Sequence, residues 1–174
     1  MAKKNKTGPK SARKNFFIAL GTHPQQFNRL LREIDRLFAG KKIPGAAFAQ
    51  TGHSDYGPKN FEWQKFMGLA EFEKKARWAD IVITHAGEGN VGICKNLGRK
   101  MIVVPRRREF GEHTNDHQLE LAQVVQDKRL GLVAWNLSEL EERLLQIERF
   151  VPAKIPRGKI SMMLDDYVKR ELGW

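Results

Sequence analysis

The sequence lacks the features that mark secreted and membrane-spanning proteins. Its 174 residues include a single cysteine, Cys94, so the chain cannot form a disulfide within itself. No apolar run approaches the length of a transmembrane helix, and no hydrophobic signal segment stands near the start. With 41% hydrophobic residues, the chain has the composition of a folded domain that buries a core. Together these features predict a globular protein of the cytoplasm.

Acidic residues are missing from positions 1–14, where six lysines and arginines stand. Over half of the net charge of +11 therefore belongs to this segment, which we expect to form a mobile basic tail. Such a tail binds an anionic membrane surface or nucleic acid, or simply keeps the chain in solution. A nucleic-acid-binding protein is accordingly one alternative, although the aromatic residues are not spaced as a base-stacking platform.

Apolar runs alternate with helical periodicity along most of the chain. Strands are predicted at 16–20, 46–52, 62–67, 80–84, 101–105 and 132–135. Helices are predicted from Pro24 to Gly40, at 69–79, 88–97 and 115–127, and from a capping box of Ser138 and Glu141 to Arg149. Alternating strands and helices, with strands apolar throughout, predict an α/β fold over residues 15–150: a Rossmann-like, doubly wound parallel sheet.

Ligands bind such sheets outside the carboxyl ends of the strands, which directs attention to four loops. They span residues 21–23, 50–56, 85–90 and 105–118, and they contain all five histidines of the sequence: His23, His53, His85, His113 and His117. The extension at 151–174 comes after the last predicted strand and helix and lies beyond the alternating pattern of the sheet. Its Leu164, Tyr167, Val168 and Leu172 share a helical face, which would pack on the domain itself or on a partner.

The turn "THAGEGN" (84–90) follows a buried strand and is stripped of side-chain bulk. Its glycines allow close approach of a ligand, and the N–H groups at the start of the next helix suit a phosphate. The dinucleotide fingerprint G-x-G-x-x-G is absent after the first strand, where "GTHPQQ" stands instead. A tight structural turn is the alternative interpretation.

The loop "PRRREFGEHTNDHQ" (105–118) combines arginines with carboxylate, imidazole and amide side chains. Arginine can neutralise a diphosphate, and carboxylates and amides bind sugar hydroxyls. The alternative is a solvated loop in which Asn115 or Asp116 caps the next helix. A zinc site is not expected, because Gly111 and Asn115 oppose a helix that would bring His113 and His117 onto one face.

Four stretches occur in order on these loops: "GTHPQQFNRLL" (21–31), "QTGHSDYGP" (50–58), "HAGEGNVG" (85–92) and "VPRRREFGEHTNDHQLELA" (104–122). Their combination resembles the C-terminal domain of glycosyltransferase family 28. It is most similar to the separate catalytic subunits of two-part UDP-sugar transferases, which serve the dolichol pathway and bacterial exopolysaccharide synthesis. The similarity covers about residues 16–150.

The resemblance implies the C-terminal half of a GT-B glycosyltransferase, a hexosyltransferase that works as a heterodimer. This chain would bind UDP-N-acetylglucosamine or a related UDP-sugar. A membrane-anchored partner subunit would bind the lipid-linked acceptor and hold the chain peripherally at the cytosolic face of a membrane. No metal or other cofactor is expected, since helix ends and basic side chains hold the leaving diphosphate in such enzymes. A regulator that binds nucleotide sugars without catalysis is a further alternative.

The resemblance also implies roles for residues on the four loops. Those that would face the diphosphate are Gly87, Gly89 and Asn90, with Gly21, Thr22 and His23 on the opposite side. Those that would face the sugar and the reaction centre are Glu112, His113, Asp116, His117 and Gln118. Glu112 and His113 are the catalytic candidates, unless the base lies on the partner. The other substrate-binding candidates are Gln50, His85 and Arg106.

One position departs from the family. Many relatives carry a glutamate in the helix after the glycine turn, where it holds the ribose hydroxyls. The matching residue here is Ile93. Ribose recognition must therefore come from elsewhere, or the nucleotide preference differs.

Overall fold

The computed structural model describes residues 13–154, which form one six-stranded parallel sheet. Its strands are β1 (Lys14–Ala19), β2 (Gly45–Gln50), β3 (Glu62–Gln64), β4 (Ile81–Thr84), β5 (Lys100–Val103) and β6 (Leu132–Val133). Their order across the sheet is β3-β2-β1-β4-β5-β6, and every neighbouring pair is parallel. The predicted Rossmann-like fold is thereby confirmed. The order reverses between β1 and β4, where such folds place a ligand crevice.

Helices cover both faces of the sheet. They are α1 (Asn28–Ala39), α2 (Leu69–Trp78), α3 (Glu88–Asn96), α4 (His117–Asp127) and α5 (Leu140–Gln146), with 3₁₀ turns at Arg108–Phe110 and Leu137–Glu139. Alternate residues of the strands point to opposite faces: Phe17 packs with α2, α3 and α4, and Phe16 and Ile18 pack with α1 and α5. Cys94 is fully buried in α3, on the apolar side of that helix.

The first helix starts later than predicted. Pro24 lies in the preceding loop, and α1 begins at Asn28. The backbone N–H of Phe27 donates to Oγ of Ser54 at 2.9 Å, and that of Asn28 donates to Oε1 of Gln26 at 2.7 Å. The prediction was wrong because long-range and local side-chain acceptors bind the N–H groups that a helix starting at Pro24 would use.

The capping box predicted before the last helix is also wrong. Ser138 lies inside the 3₁₀ turn Leu137–Glu139, and α5 follows without a side-chain cap. The carboxylate of Glu139, and not that of Glu141, reaches back, and it accepts from the backbone N–H of Trp135 at 3.3 Å. The turn begins at Leu137, two residues too early for Ser138 to act as the cap, and Asn136 takes the N-cap position.

The predicted terminal segments fall largely outside the described residues. Lys14, which the prediction placed in the basic tail, belongs to β1 and pairs with Gly45. Residues 1–12 and the predicted helical face within 155–174 lie outside the described part of the chain. Within residues 13–154, no helix is both long and apolar enough to cross a bilayer.

Candidate functional site

The loops that follow β1, β2, β4 and β5 meet at one end of the sheet, which we call the carboxyl edge. His85 lies at its centre, with only 8% of its surface exposed. A Cβ placed on Gly87 would lie 2.2 Å from Nε2 of His85, and one on Gly21 would lie 2.6 Å from Cε1 of the same ring. Gly21 also has φ of +74°. Any side chain at Gly21 or Gly87 would collide with the imidazole of His85, so both positions need glycine. The glycine pattern in the sequence did not reveal this structural reason.

His85 is held neutral. Burial lowers the pKa of His85 to about 3, and the charge of Arg106 lowers it further, while the carbonyl of Ala19 opposes the change. Nδ1 of the ring lies 3.4 Å from that carbonyl oxygen. His85 thus fills the floor of the carboxyl edge as an uncharged ring.

The N-terminus of α3 opens on the carboxyl edge beside His85. Its first N–H groups have no acceptor within their own helix, and they form the positive end of the helix dipole. A Cβ on Gly89 would meet no atom within 4 Å, so nothing in the chain occupies the space over this turn. The side chain of Asn90 points inward, where Nδ2 donates to the carbonyl of Ala19 at 3.1 Å and to Oγ1 of Thr84 at 3.0 Å. Any contact of Asn90 with a ligand would therefore use its backbone.

Arg106 joins two loops of the carboxyl edge from within. The side chain is fully buried. Nη1 donates to the carbonyl oxygens of Gln25, Gln26 and Glu112 at 2.7, 3.2 and 3.0 Å, and Nη2 donates to that of Leu20 at 2.8 Å. Burial lowers the pKa of Arg106 to about 10, partly offset by Glu112. In this arrangement Arg106 fixes the loops and does not present its guanidinium to a ligand.

Glu112 is equally occupied. Only 1% of its surface is exposed, and both carboxylate oxygens are bound: Oε1 by Nε of Arg29 at 2.5 Å and Oε2 by the backbone N–H of Arg107 at 3.1 Å. A carboxylate with these partners is not free to accept a proton from an acceptor hydroxyl. Arg29, which also donates to the carbonyl of Pro105 at 3.0 Å, was missed in the sequence, because its position in α1 carries no sign of a partner 83 residues away.

His113 and His23 stack on one another at the carboxyl edge. Their ring centroids lie 4.3 Å apart with an interplanar angle of 19°. Nδ1 of His113 accepts from the backbone N–H of Asn115 at 3.3 Å. A neutral ring that accepts at Nδ1 carries its hydrogen on Nε2, so His113 offers a hydrogen-bond donor at that atom rather than a base.

The remaining predicted residues lie around this centre. Asp116 precedes α4 and accepts from the backbone N–H of Arg108 at 3.3 Å, while Asn115 caps the N–H of His117 at 3.3 Å. His117 is exposed, with Nδ1 at 3.1 Å from Glu120.

Of the other predicted residues, Gln118 and Gln50 are buried and Thr22 is exposed to solvent. Gln118 is buried and accepts from the N–H of Arg106 at 3.0 Å. Gln50 is buried at the end of β2, whereas Thr22 is exposed. Since α4 begins at His117, His113 lies outside that helix, and the described residues include no cluster of three His, Cys, Asp or Glu suited to a metal ion.

Buried polar atoms without hydrogen-bond partners concentrate at the carboxyl edge. Of five such side-chain atoms found among residues 13–154, four lie there: Nδ1 of His23, Oε1 of Gln25, Oε1 of Gln50 and Nε of Arg106. Native folds leave few buried polar groups unpaired, so the atoms on His23, Gln25 and Gln50 mark a place where bound water or a polar ligand supplies the missing partners, whereas Arg106 is turned into the protein.

The model of the glycosyltransferase family 28 C-terminal domain matches residues 15–166, nearly the whole chain. The chain belongs to this family. No curated protein sequence matches it significantly.

Solved structures show the same fold. MurG from Acinetobacter baumannii is 18% identical with a TM-score of 0.59, over 92% of this chain and 51% of that one. The glycosyltransferase of kitacinnamycin is 20% identical with a TM-score of 0.57, over 96% and 47%. ALG13, solved by NMR, is 13% identical with a TM-score of 0.54, over 87% and 93%. The family 28 chain described here thus has the Rossmann-like fold of the C-terminal half of a GT-B glycosyltransferase, and it spans about half the length of MurG and the kitacinnamycin enzyme.

Proposed function

We propose that the chain is the donor-binding subunit of a glycosyltransferase. It binds a UDP-sugar, UDP-N-acetylglucosamine or a related one, and transfers the sugar to a lipid-linked acceptor together with a membrane-anchored partner subunit. The observation that carries this proposal is the group of unpaired buried polar atoms beside the open N-terminus of α3, in a family 28 domain. The partner is invoked because the chain spans half of the two-domain glycosyltransferases but 93% of ALG13.

The donor is proposed to lie across the carboxyl edge. The diphosphate would bind the N–H groups at the start of α3, near Gly89, with Thr22 and His23 on its other side. The sugar would reach the loop before α4, where Asp116 and His117 are exposed. Helix N–H groups and imidazole N–H donors stabilise the charge that develops on the leaving diphosphate without a metal ion.

The proposed reaction is an inverting transfer. The acceptor hydroxyl attacks the anomeric carbon, the bond from that carbon to the diphosphate oxygen breaks, and the nucleoside diphosphate leaves with the electron pair. A base must take the hydroxyl proton. Because Glu112 is bound by Arg29 and His113 offers a donor, we place that base on the partner subunit.

Nucleotide identity is part of the proposal and needs its own comparison. Ile93 packs against the core in the position where relatives carry the ribose-binding glutamate. No carboxylate from that site can hold the ribose, so uridine recognition would depend on other contacts. Side-by-side titration of UDP, GDP and TDP would establish the preference.

The direct test is NMR titration of the full chain with UDP-N-acetylglucosamine in the presence of EDTA. We expect shifts of the backbone signals of residues 87–90, with weak affinity and little turnover because half of the cleft belongs to the partner. If the signals of residues 87–90 stay unchanged at millimolar ligand, the donor-binding proposal is wrong. Fast turnover by the chain alone would remove the two-subunit claim.

Gly89 offers the sharpest variant, since a side chain there meets nothing within the chain. Gly89→Ala and Gly89→Val should fold normally and lose donor affinity in proportion to side-chain size, by about tenfold or more for valine, because about 1.4 kcal/mol of lost contact suffices for that change. Thermal melts check the fold and NMR titration checks the affinity. Wild-type affinity in Gly89→Val would show that the turn does not approach the ligand.

A further inference from the structure

The stacked imidazoles of His23 and His113 suggest a property of the site beyond donor binding. They belong to different loops, after β1 and after β5, and meet face to face at 4.3 Å. Nδ1 of His23 is buried without a partner, and so is Oε1 of the nearby Gln25. The carboxamide of Gln25 favours the protonated form of His23. A hydrogen on Nδ1 would satisfy both unpaired atoms at once, and only the protonated ring can carry it while also donating from Nε2.

Most of the arginines of the loop after β5, together with Arg29 of α1, are already engaged. Arg29 is paired with Glu112 at 2.5 Å. Arg106 donates to four backbone carbonyls, and Arg107 donates to a carboxylate and a carbonyl. Arg108 is exposed at the start of its 3₁₀ turn. A diphosphate that enters this edge brings negative charge to a place where three of these four arginines are bound by the chain itself.

The groups around His23 keep it neutral in the free chain. Burial lowers the pKa of His23, and three basic neighbours lower it further: His113, Arg106 and His53. His85, from the loop after β4, also faces it and is itself neutral. These groups come from the three other loops of the carboxyl edge, and none of them is an acid, so an arriving anion would reverse the balance.

We propose that His23 takes up a proton from the solvent when the diphosphate of the donor binds, and returns it to the solvent when the nucleotide leaves. The protonated ring would donate from Nδ1 to Gln25 and from Nε2 toward the phosphate oxygens. The donor site would thus gain the positive charge of His23 only when the donor is bound. This inference rests on the proposed function of the same site.

Proton uptake makes affinity depend on pH in a defined direction. The bound diphosphate raises the pKa of His23 above its value in the free chain. Affinity therefore increases as pH falls through the bound-state pKa, and it levels off below the free-state pKa. Each unit of difference between the two pKa values corresponds to about a tenfold change in Kd.

The experiment follows the ring signals of the five histidines by NMR, between about pH 5 and 8, with and without UDP-N-acetylglucosamine. Both phosphates of this donor are esterified, so it lacks the ionisation near pH 6 that a terminal phosphate such as that of UDP undergoes. We expect the pKa of His23 to lie below about 6.5 in the free chain and to rise on binding, and Kd to fall about tenfold toward the acid end.

Two variants separate His23 from the other histidines. His23→Asn removes the titrating group and should give a Kd that is nearly constant with pH. His117→Asn removes an exposed imidazole that pairs with Glu120, and it should retain the wild-type pH slope whatever its effect on absolute affinity. The wild-type ring signal of His23 gives an answer even if a variant fails to fold.

The outcomes distinguish this inference from the function on which it rests. Donor binding with a pH-independent Kd, or a His23 pKa that does not move on binding, overturns the proton uptake and leaves donor binding intact. A wild-type slope in His23→Asn also overturns it. Absence of binding at every pH overturns both proposals together.

Discussion

Asp35 is a buried carboxylate that fastens one loop of the carboxyl edge to α1. It accepts from the hydroxyl of Tyr56 at 2.6 Å, from the backbone N–H groups of Lys59 and Asn60, and from Nδ2 of Asn60 at 2.8 Å. Burial by itself would raise the pKa of Asp35, but these hydrogen bonds outweigh it and lower the pKa. The loop after β2 is thus held by one ionised side chain.

Replacement of Asp35 should therefore cost stability in a pH-dependent way. Asp35→Asn should lower the free energy of unfolding by about 1–3 kcal/mol at neutral pH, since buried donors lose a charged acceptor. Because the folded pKa is depressed, this stabilisation is present above about pH 4 and is lost as pH falls below that value. Urea unfolding of both proteins at neutral and acid pH measures the difference. Asp55→Asn, at an exposed position of the same loop, is the matched control and should change little.

Residue types in the site could be predicted from the sequence, but the direction of each side chain could not. The glycines, histidines and carboxylates of the four loops do meet at one edge. Arg106 and Glu112, however, turn inward, because Arg29 and the carbonyls of the loop after β1 supply partners far away in the chain. Charge and spacing do not reveal burial, which decides whether a polar group contacts a ligand or the protein.

At the scale of elements, Arg106 connects the loop after β1 to the loop after β5. Arg106→Lys should destabilise the protein by about 2–4 kcal/mol, because one ammonium group cannot serve four carbonyls and some would stay buried and unpaired. The urea midpoint should fall with an unchanged m value, and amide exchange should quicken at 21–27 and 107–112.

A second arginine provides the control for that substitution. Arg36 lies on the exposed side of α1, where it pairs with Glu33 at 2.7 Å. Arg36→Lys makes the same chemical change at the surface, and it should shift stability by less than about 0.5 kcal/mol. Equal effects of the two substitutions would contradict a clamping role for Arg106.

The order and type of the elements were predictable because hydrophobic periodicity reports which face of a strand or helix is buried. All six strands and five helices occur where the pattern placed them, with shifted ends. The strand predicted at 62–67 is only Glu62–Gln64, and the helix predicted at 115 begins at His117. Pro24 misled the prediction because Ser54, from another segment, binds the N–H of Phe27, and Ser138 misled it because the 3₁₀ turn begins earlier and Glu139 binds the N–H of Trp135.

At the scale of the whole molecule, the two candidate sources of anion binding are separable. Residues 1–12 carry four lysines, whereas the carboxyl edge lies at the far end of the strand that begins with Lys14. Deletion of 1–12 should abolish most binding to anionic lipid vesicles and single-stranded DNA, and reduce its salt dependence, because those lysines release counterions. The affinity for UDP-N-acetylglucosamine should be unchanged.

The deleted segment ends at residue 12, before β1, so the pairing of Lys14 with Gly45 remains intact. Vesicle co-sedimentation at two salt concentrations and NMR titration of the donor give the two readings. If the truncated chain still binds DNA with a steep salt dependence, the binding surface lies on the folded domain. That result would favour a nucleic-acid-binding protein over the proposed glycosyltransferase.

Both outermost strands of the sheet are very short, three residues in β3 and two in β6. They expose few free backbone N–H and C=O groups to which another chain could hydrogen-bond an added strand. A companion protein that joins this one must therefore recognise it through side chains on loops and helices rather than by extending the sheet. In the proposed two-subunit enzyme, the pairing of the two halves would therefore be determined by surface side chains, and substitutions there could alter it without changing the core.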